Sequence, residues 1–259
     1  MERAIDIADL RFAPGGDVIL DGVDLRVDQG ELVCLLGPSG AGKSTTLRML
    51  GGLMQGTGDL RIYGSPPSVG WQRLAYVFQS PRLVRWRSAV DNVALGIQLR
   101  EGRGSKGVKR ERALACLERV GIPELADRPA HLLSGGEQQR VAIARALALK
   151  PDVLLMDEPF SALDVRTRNE LRHELVQWWQ DAGLTIVFVT HDIDEALVLG
   201  TRAVVLSRKP TRVVADVEVD LPHPRDRDGA AWESRRQQVL AAFGSVGVET
   251  EHDDDVVVR

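Results

Sequence analysis

Residues 32–50 read LVCLLGPSGAGKSTTLRML, an apolar run followed by a glycine-rich turn and a second run with helical spacing. The turn fits the pattern G-x-x-x-x-G-K-[ST], and a strand before it and a helix after it are the context that this pattern requires. Its glycines let successive backbone N–H groups curl around a phosphate, and the helix directs its positive end to the same point. The sequence therefore predicts a phosphate-binding loop. Its residues are Gly37, Pro38, Ser39, Gly40, Ala41, Gly42, Lys43, Ser44 and Thr45.

The rest of the chain alternates short apolar runs with helical patterns, which is typical of a mainly parallel sheet with helices on both faces. Five runs predict core strands, at residues 32–36, 74–78, 153–156, 185–189 and 203–206. Three segments near the start alternate with the period of a strand and predict a small antiparallel sheet, at residues 4–10, 18–27 and 59–63. Residues 96–130 are helical in pattern, with a glycine-rich and charged loop at 101–107. We therefore expect an α/β core with an antiparallel β subdomain and an inserted α-helical subdomain.

Charge and composition exclude several classes of protein. The chain has 33 Lys and Arg against 37 Asp and Glu, and residues 249–259 hold five of those acids and one base, which leaves 32 of each sign elsewhere. A body without net charge lacks the basic excess of a typical nucleic-acid binder, so we expect no nucleic-acid partner. Cys34 and Cys116 lie in apolar patterns, which favours a reducing compartment over a disulfide framework. No apolar run approaches the ~18 residues of a membrane-spanning helix, so we expect the chain to be in the cytosol.

Two strand ends carry side chains that suit phosphate chemistry. Asp157 and Glu158 follow the strand at 153–156, and His191 follows the strand at 185–189. The carboxyl ends of parallel strands meet at one edge of a sheet, where ligands gather. Lys43 is expected to reach the outer phosphates, Ser44 and Asp157 to hold a metal, and Glu158 to polarise an attacking water. Taken alone, an acidic pair is more often solvated and a lone histidine is more often a hydrogen-bonded strand end; the phosphate loop favours the functional interpretation.

A second glycine pair opens a helix predicted at residues 138–149. Ser134, Gly135, Gly136 and Glu137 form the pattern S-x-x-E, which is a capping box in its simplest interpretation. The two glycines also leave bare N–H groups at a helix start, as a second phosphate-binding surface would need. Both interpretations are compatible with the sequence.

These motifs together resemble the ATP-binding cassette family of ATPases. The shared set is GPSGAGKST (37–45), Gln79, LSGGEQQR (133–140), LLMDEP (154–159), SALD (161–164) and His191, in the order of the family. The resemblance extends to about residue 228 and implies a P-loop NTPase core of the RecA-like type. It also implies ATP and Mg²⁺ as cofactors, held in a sandwich of two cassettes. Each ATP would lie between the phosphate loop of one chain and Ser134 to Glu137 of the other.

The resemblance also assigns roles to single residues. Gln79 corresponds to the family's metal and water sensor, Glu158 to the catalytic base and His191 to the contact with the γ-phosphate. Asp164 corresponds to the residue that signals across the dimer. Phe12 occupies the place of the aromatic that stacks on adenine, although an ordinary core or edge aromatic is the alternative. The metal site would comprise Ser44, Gln79 and Asp157.

The domain organisation follows from the same resemblance. Residues 1–228 would form the ATPase domain, with the helical insert at about 88–150. Residues 229–248 would form a C-terminal helical extension, and residues 249–259 a disordered acidic tail.

Four further segments resemble the importer branch for nitrate, sulfonate and taurine: PRLVRW (81–86), FSALD (160–164), HDIDEA (191–196) and LPHPRD (221–226). Arg85 departs from that branch, where proline is more usual. The branch implies a homodimer at the cytoplasmic face of the cell membrane, two permease subunits and an external solute-binding protein. We expect Trp86 and Arg82 to contact the permease, with a buried Trp86 as the alternative. The rival function is a mechanical ATPase of the lipoprotein-release, cell-division or nucleic-acid-handling type.

Overall fold

The computed structural model describes residues 2–102 and 104–248, which contain nine strands and eight α-helices. The strands are β1 (Arg3–Phe12), β2 (Leu20–Asp28), β3 (Leu32–Leu36), β4 (Thr57–Ile62), β5 (Leu74–Val77), β6 (Val153–Asp157), β7 (Thr185–Val189), β8 (Arg202–Leu206) and β9 (Val213–Glu218). The helices are α1 (Lys43–Leu50), α2 (Pro67–Gly70), α3 (Ala89–Glu101), α4 (Lys106–Arg119), α5 (Gly135–Leu147), α6 (Val165–Ala182), α7 (Ile193–Leu199) and α8 (Ala230–Val248).

Six strands form the main sheet, in the order β5-β6-β7-β3-β8-β9. The first five are parallel, and β9 pairs antiparallel with β8 at the edge. Successive side chains of a strand point to opposite faces, so β3 divides its residues between two cores. Leu32, Cys34 and Leu36 pack on the side of the helical insert, whereas Val33 and Leu35 pack on the side of α1. The sheet is therefore buried on both faces, as its continuous apolar strands predict.

The antiparallel sheet has the order β2-β1-β4 and covers one face of the main sheet. Its central strand pairs Ile5 with Val27 on one side and with Ile62 on the other. All three are fully buried and belong to the same apolar cluster as Leu47 of α1. This small sheet therefore shares its apolar core with the helix that follows the phosphate loop.

The helical insert consists of α3, α4 and α5, which pack on one another through buried aliphatic side chains. The predicted start at residue 96 and the predicted loop at 101–107 are wrong in their bounds. Helix α3 begins at Ala89 because Ser88 caps it, accepting a hydrogen bond from the backbone of Asp91 at 3.2 Å. Helix α4 begins at Lys106, so Gly107 lies inside a helix.

The predicted fold class is confirmed, with differences at element ends. The five predicted core strands are present to within one residue, whereas β2 begins at Leu20 rather than at residue 18 and β4 spans Thr57–Ile62. The sequence analysis missed β9, a half-exposed edge strand. Cys34 is a buried free thiol and Cys116 a half-buried one. The predicted acidic tail at 249–259 lies outside the described residues. None of the helices within residues 2–102 and 104–248 combines the length and apolar character needed to span a bilayer.

Candidate active site

The phosphate loop connects β3 to α1 and depends on glycines with left-handed backbones. Gly40 has φ +80° and Gly42 has φ +67°. A Cβ at Gly42 would lie 2.6 Å from Oγ1 of Thr211 and 2.9 Å from Cδ2 of Leu20. The Thr211 hydroxyl also donates to the carbonyl of Ala41 at 3.2 Å. Both the backbone angle and the close neighbours therefore require glycine at position 42.

Lys43, the first residue of α1, places its ammonium group over the loop. Its Nζ donates to the carbonyls of Gly37 at 2.8 Å and Pro38 at 2.9 Å, and it lies 3.9 Å from Oε1 of Glu158. Burial lowers the pKa of Lys43, and the carboxylates of Glu158 and Asp157 oppose that shift. The group is a buried cation held by carbonyls in the curve of the loop, where phosphate oxygens would provide a stronger partner.

Asp157 ends β6 and is buried beneath the phosphate loop, with 4% of its surface exposed. Its Oδ1 accepts a hydrogen bond from the hydroxyl of Ser44 at 2.6 Å, and its Oδ2 accepts one from the hydroxyl of Tyr76 at 3.1 Å. Burial, followed by the negative charge of Asp157, raises the pKa of Tyr76, so this hydroxyl stays protonated and donates. The structure thus brings two of the three predicted metal ligands, Ser44 and Asp157, into direct contact.

Glu158 and His191 meet at the ends of β6 and β7. Glu158 has a left-handed backbone, with φ +42°, and its N–H donates to the carbonyl of Val189 at 3.1 Å. This turn directs its carboxylate to the sheet edge, where Oε2 lies 3.3 Å from Nδ1 of His191. The Glu158 side chain is 20% exposed and that of His191 is 61% exposed. Water can therefore reach the carboxylate while Glu158 stays oriented.

Gln79 follows β5 and is linked to Glu158 through a hydroxyl. Its Nε2 donates to Oγ of Ser161 at 3.3 Å, and that hydroxyl donates to the carbonyl of Glu158 at 3.0 Å. The amide oxygen of Gln79 accepts no hydrogen bond from the described residues. It is available to a metal or a water at the edge of the site.

The predicted second phosphate surface, Ser134 to Glu137, is a complete capping box. Ser134 N donates to the carboxylate of Glu137 at 2.7 Å, and Glu137 N donates to the Ser134 hydroxyl at 3.3 Å. A Cβ at Gly135 would meet open space, whereas one at Gly136 would lie 2.8 Å from Cγ2 of Thr167. Within the described residues, no hydrogen bond joins this segment to the phosphate loop. The capping interpretation is therefore correct as geometry, and it leaves the helix start open on its outer side.

Asp164 lies beside that segment, as the N-cap of α6. It accepts hydrogen bonds from Thr167 N at 3.0 Å and from the Thr167 hydroxyl at 2.7 Å. These bonds lower the pKa of Asp164, so the group is a carboxylate at neutral pH. Thr167 thus donates to Asp164 and leaves no room for a side chain at Gly136.

Phe12 lies at the end of β1 in register with Leu20 of β2. Since Leu20 lies close enough to Gly42 to exclude a Cβ there, this strand pair ends beside the phosphate loop. The Phe12 ring is only partly buried. Its stacking on adenine remains a prediction.

Behind the sheet edge lies a buried ionic network that the sequence analysis missed. The guanidinium of Arg172 donates to Glu195 at 2.9 Å and to Asp192 at 3.1 Å. Glu195 also accepts the hydroxyl of Thr190 at 2.6 Å, and the Thr190 hydroxyl accepts Asp192 N at 3.0 Å. These hydrogen bonds therefore hold the turn that carries His191 in place. Tyr76, Thr211 and Arg172 were missed because each reaches the site across the fold, with no local motif to mark it.

Comparison with known proteins agrees with this geometry. Residues 20–161 match the family described as ABC transporter. The nitrate import ATP-binding protein NrtD of Synechococcus elongatus is 39% identical over 93% of this chain and 89% of its own length. The aliphatic sulfonates import ATP-binding protein SsuB of a Mycobacterium species is 43% identical over 96% of this chain and 97% of its own.

A solved structure gives the same result at the level of the fold. The ATP-binding cassette MJ0796, a dimer in a post-hydrolysis state bound to ADP and Pi, superposes with a TM-score of 0.74. Its sequence is 33% identical, and the match covers 83% of this chain and 98% of that one. The chain belongs to the ABC transporter family, and it is an ATP-binding cassette with the ATPase activity of that family.

Proposed function

We propose that this chain hydrolyses ATP as one of two cassettes that drive the import of a small solute such as nitrate, a sulfonate or taurine. The observation that carries the catalytic part is the convergence at one sheet edge. Ser44 lies 2.6 Å from Asp157, and Glu158 lies 3.3 Å from His191. The phosphate loop, residues 37–45, would hold the phosphates, and Lys43 would attract the outer ones.

The donor set suits Mg²⁺. Magnesium takes oxygen ligands, keeps several waters and is usually bound through one or two carboxylates and substrate phosphates. Asp157 offers one buried carboxylate, Ser44 a hydroxyl and Gln79 an unoccupied amide oxygen. No cluster of three or more His, Cys, Asp or Glu side chains suited to a metal occurs in the described chain. The remaining ligands of a Mg²⁺ ion would be phosphate oxygens and waters. When bound, the ion neutralises negative charge on the phosphate oxygens.

Glu158 is the proposed catalytic base. Its carboxylate would accept the proton of the attacking water, and His191 beside it would contact the γ-phosphate. The left-handed backbone at Glu158 and its bond to Val189 support this role, because they hold the carboxylate at the exposed edge.

A second copy would complete the site. Ser134 to Glu137 presents an open helix start with no hydrogen bond to the phosphate loop among the described residues, which supports a role in trans. Asp164 accepts a hydrogen bond from Thr167, which lies beside that segment, and would signal between the two chains of the dimer. We therefore propose a homodimer with two ATP molecules at its interface.

The permease would dock on a groove of about 380 Å³ between the sheet and the helical insert. Tyr76 lines this groove and donates to Asp157, so the groove touches the proposed metal site. At its rim, Arg145 donates to the carbonyls of Pro81 and Arg82, which fixes the segment after Gln79. Trp86 follows with 82% of its surface exposed, so the alternative of a buried Trp86 is wrong. An exposed tryptophan beside arginines is the composition of an interface hot spot.

These features support an assembly of two cassettes, two integral-membrane permease subunits and an external solute-binding protein, with this chain at the cytoplasmic face of the membrane. The solute class rests on the printed functions of the relatives, nitrate and aliphatic sulfonate import. Those relatives do not favour a mechanical ATPase.

The test is solute-stimulated ATP hydrolysis in proteoliposomes that contain this chain, the permease subunits with which it copurifies and their binding protein. We expect stimulation in the parent and nearly complete loss in Glu158→Gln, a decrease of about 10²–10⁴-fold with nucleotide binding retained. Trp86→Ala with Arg82→Ala should retain the basal rate of the isolated chain and lose the stimulation. Val214→Ala, an exposed apolar residue on β9, is the matched control and should behave as the parent. Stimulation unchanged in the double variant would remove residues 79–86 from the coupling surface.

A further inference from the structure

A cavity of about 480 Å³ lies between α6, α7 and residues 223–227, and none of the proposed nucleotide-binding residues lines it. The segment 221–226 was singled out by its sequence and has no role in the ATPase chemistry above. We propose that this cavity binds a small organic anion, a sulfonate or carboxylate with a short apolar tail, and that its occupancy slows ATP hydrolysis. The effect on hydrolysis rests on the proposed roles of Glu158 and His191, whereas the binding does not.

The charge of the lining favours an anion. Its described residues include three arginines and no carboxylate: Arg172, Arg225 and Arg227. His173 and His223 also line the cavity, but burial lowers the pKa of His223, so the positive charge of the lining comes from the arginines. Arg172 is neutralised by Glu195 and Asp192, and Arg227 lies 3.3 Å from Asp194.

Arg225 differs from the other two arginines because no carboxylate lies within 4 Å of it in the described chain. It donates to the carbonyl of Gly200 at 2.7 Å and to that of Val219 at 3.4 Å. Burial lowers the pKa of Arg225 to about 10, so the group is still charged at neutral pH. A half-buried cation held only by carbonyls is incompletely compensated, and an anion would provide the missing partner.

The remaining lining favours an organic ligand of modest size. Val176, Val198 and Pro224 form an apolar part of the wall, and Gln177 and Gln180 add amide donors. A volume of about 480 Å³ is within the range of small-molecule sites and exceeds what a bare inorganic ion needs.

Arg172 connects the cavity to the active site. It lines this cavity and also a second one of about 60 Å³, which Glu158 and His191 border. Its guanidinium holds Glu195, which in turn holds the hydroxyl of Thr190 next to His191. An anion that attracts Arg172 would weaken its bond to Glu195 and so loosen the turn that positions His191.

The experiment is isothermal titration of the full chain with butanesulfonate, carried out with ADP and Mg²⁺ present so that the phosphate loop is filled. Sulfate tests the charge without a tail, and butanol tests the tail without a charge. We expect butanesulfonate to bind more tightly than either. Gln177→Glu places a negative charge on the exposed rim and should weaken binding by about tenfold. Gln98→Glu, an exposed glutamine of α3 that does not line the cavity, should bind as the parent does.

Absence of binding by butanesulfonate, or equal affinity in parent and Gln177→Glu, would overturn the site. The second readout is ATP hydrolysis, where saturating butanesulfonate should reduce the parent's rate by at least about twofold, and half-maximal inhibition of Gln177→Glu should require about tenfold more butanesulfonate. Binding without any change in rate would overturn the regulatory role. A parent that hydrolyses no ATP at all would refute the proposed function instead, and the calorimetry would still decide whether the cavity binds the anion.

Discussion

Removal of one hydroxyl tests the buried carboxylate at the centre of the site. Tyr76→Phe deletes the donor to Oδ2 of Asp157 and leaves the ring, so little apolar contact is lost. A hydrogen bond to a charged group contributes about 1.5–3 kcal/mol, and the 3.1 Å length places this one near the lower end. The expected loss is therefore about 1.5 kcal/mol of unfolding free energy. For a chain of this size, that loss lowers Tm by roughly 3–6 °C.

The assay is thermal unfolding of the nucleotide-free chain, followed by circular dichroism. The chain's other tyrosine provides the control, because Tyr63 donates no hydrogen bond to a carboxylate in the described residues, and Tyr63→Phe should change Tm less. A Tm for Tyr76→Phe within about 1 °C of the parent, or an equal decrease in both variants, would refute the assignment of Tyr76 as a donor to Asp157.

Two further changes test other contacts. Gly42→Ala combines a left-handed backbone with a Cβ 2.6 Å from Thr211, whereas Gly40→Ala has the same type of backbone and open space around its Cβ. Titration with a fluorescent nucleotide should therefore show a larger loss of ATP affinity for Gly42→Ala. Equal losses in the two variants would contradict the steric argument. Burial, followed by the charge of Arg225, lowers the pKa of His223 below its ordinary 6.5. As the pH falls below 6.5, the unfolded chain therefore binds a proton at His223 that the folded chain does not bind, and the free energy of unfolding decreases. Urea unfolding at about pH 7.5 and about pH 5.5 should show less of this loss in His223→Gln, and an identical pH dependence would contradict it.

Much of the candidate active site could be predicted because the motifs that form it are local in sequence. The phosphate loop needs glycines at fixed spacing before Lys43, and Asp157 and Glu158 directly follow an apolar strand. A strand–turn–helix unit places such residues with little help from the rest of the fold. The alternation of apolar runs likewise predicted the parallel core, since each run is buried on both faces.

The parts that were missed depend on contacts between distant segments. The sequence indicates only that Tyr76 is a strand residue. Its hydroxyl reaches Asp157 because of the register in which β5 pairs with β6. Thr211 is 170 residues from the carbonyl of Ala41 that it contacts. The segment 221–226 shows its role as a cavity wall only when it packs against α6 and α7. Strand β9 was missed because its residues alternate only between half-buried and exposed, with valine on both faces, so its sequence shows little apolar contrast.

The claim that two chains share each nucleotide is tested most directly by sedimentation velocity of Glu158→Gln, which should bind ATP without consuming it. We expect a dimer with ATP and Mg²⁺ and a monomer with ADP, because the open helix start at Ser134 to Glu137 would hold the γ-phosphate of the partner's nucleotide. Adding Ser134→Arg, which fills that helix start, should abolish the dimer. A monomer at saturating ATP and Mg²⁺ would contradict the shared site.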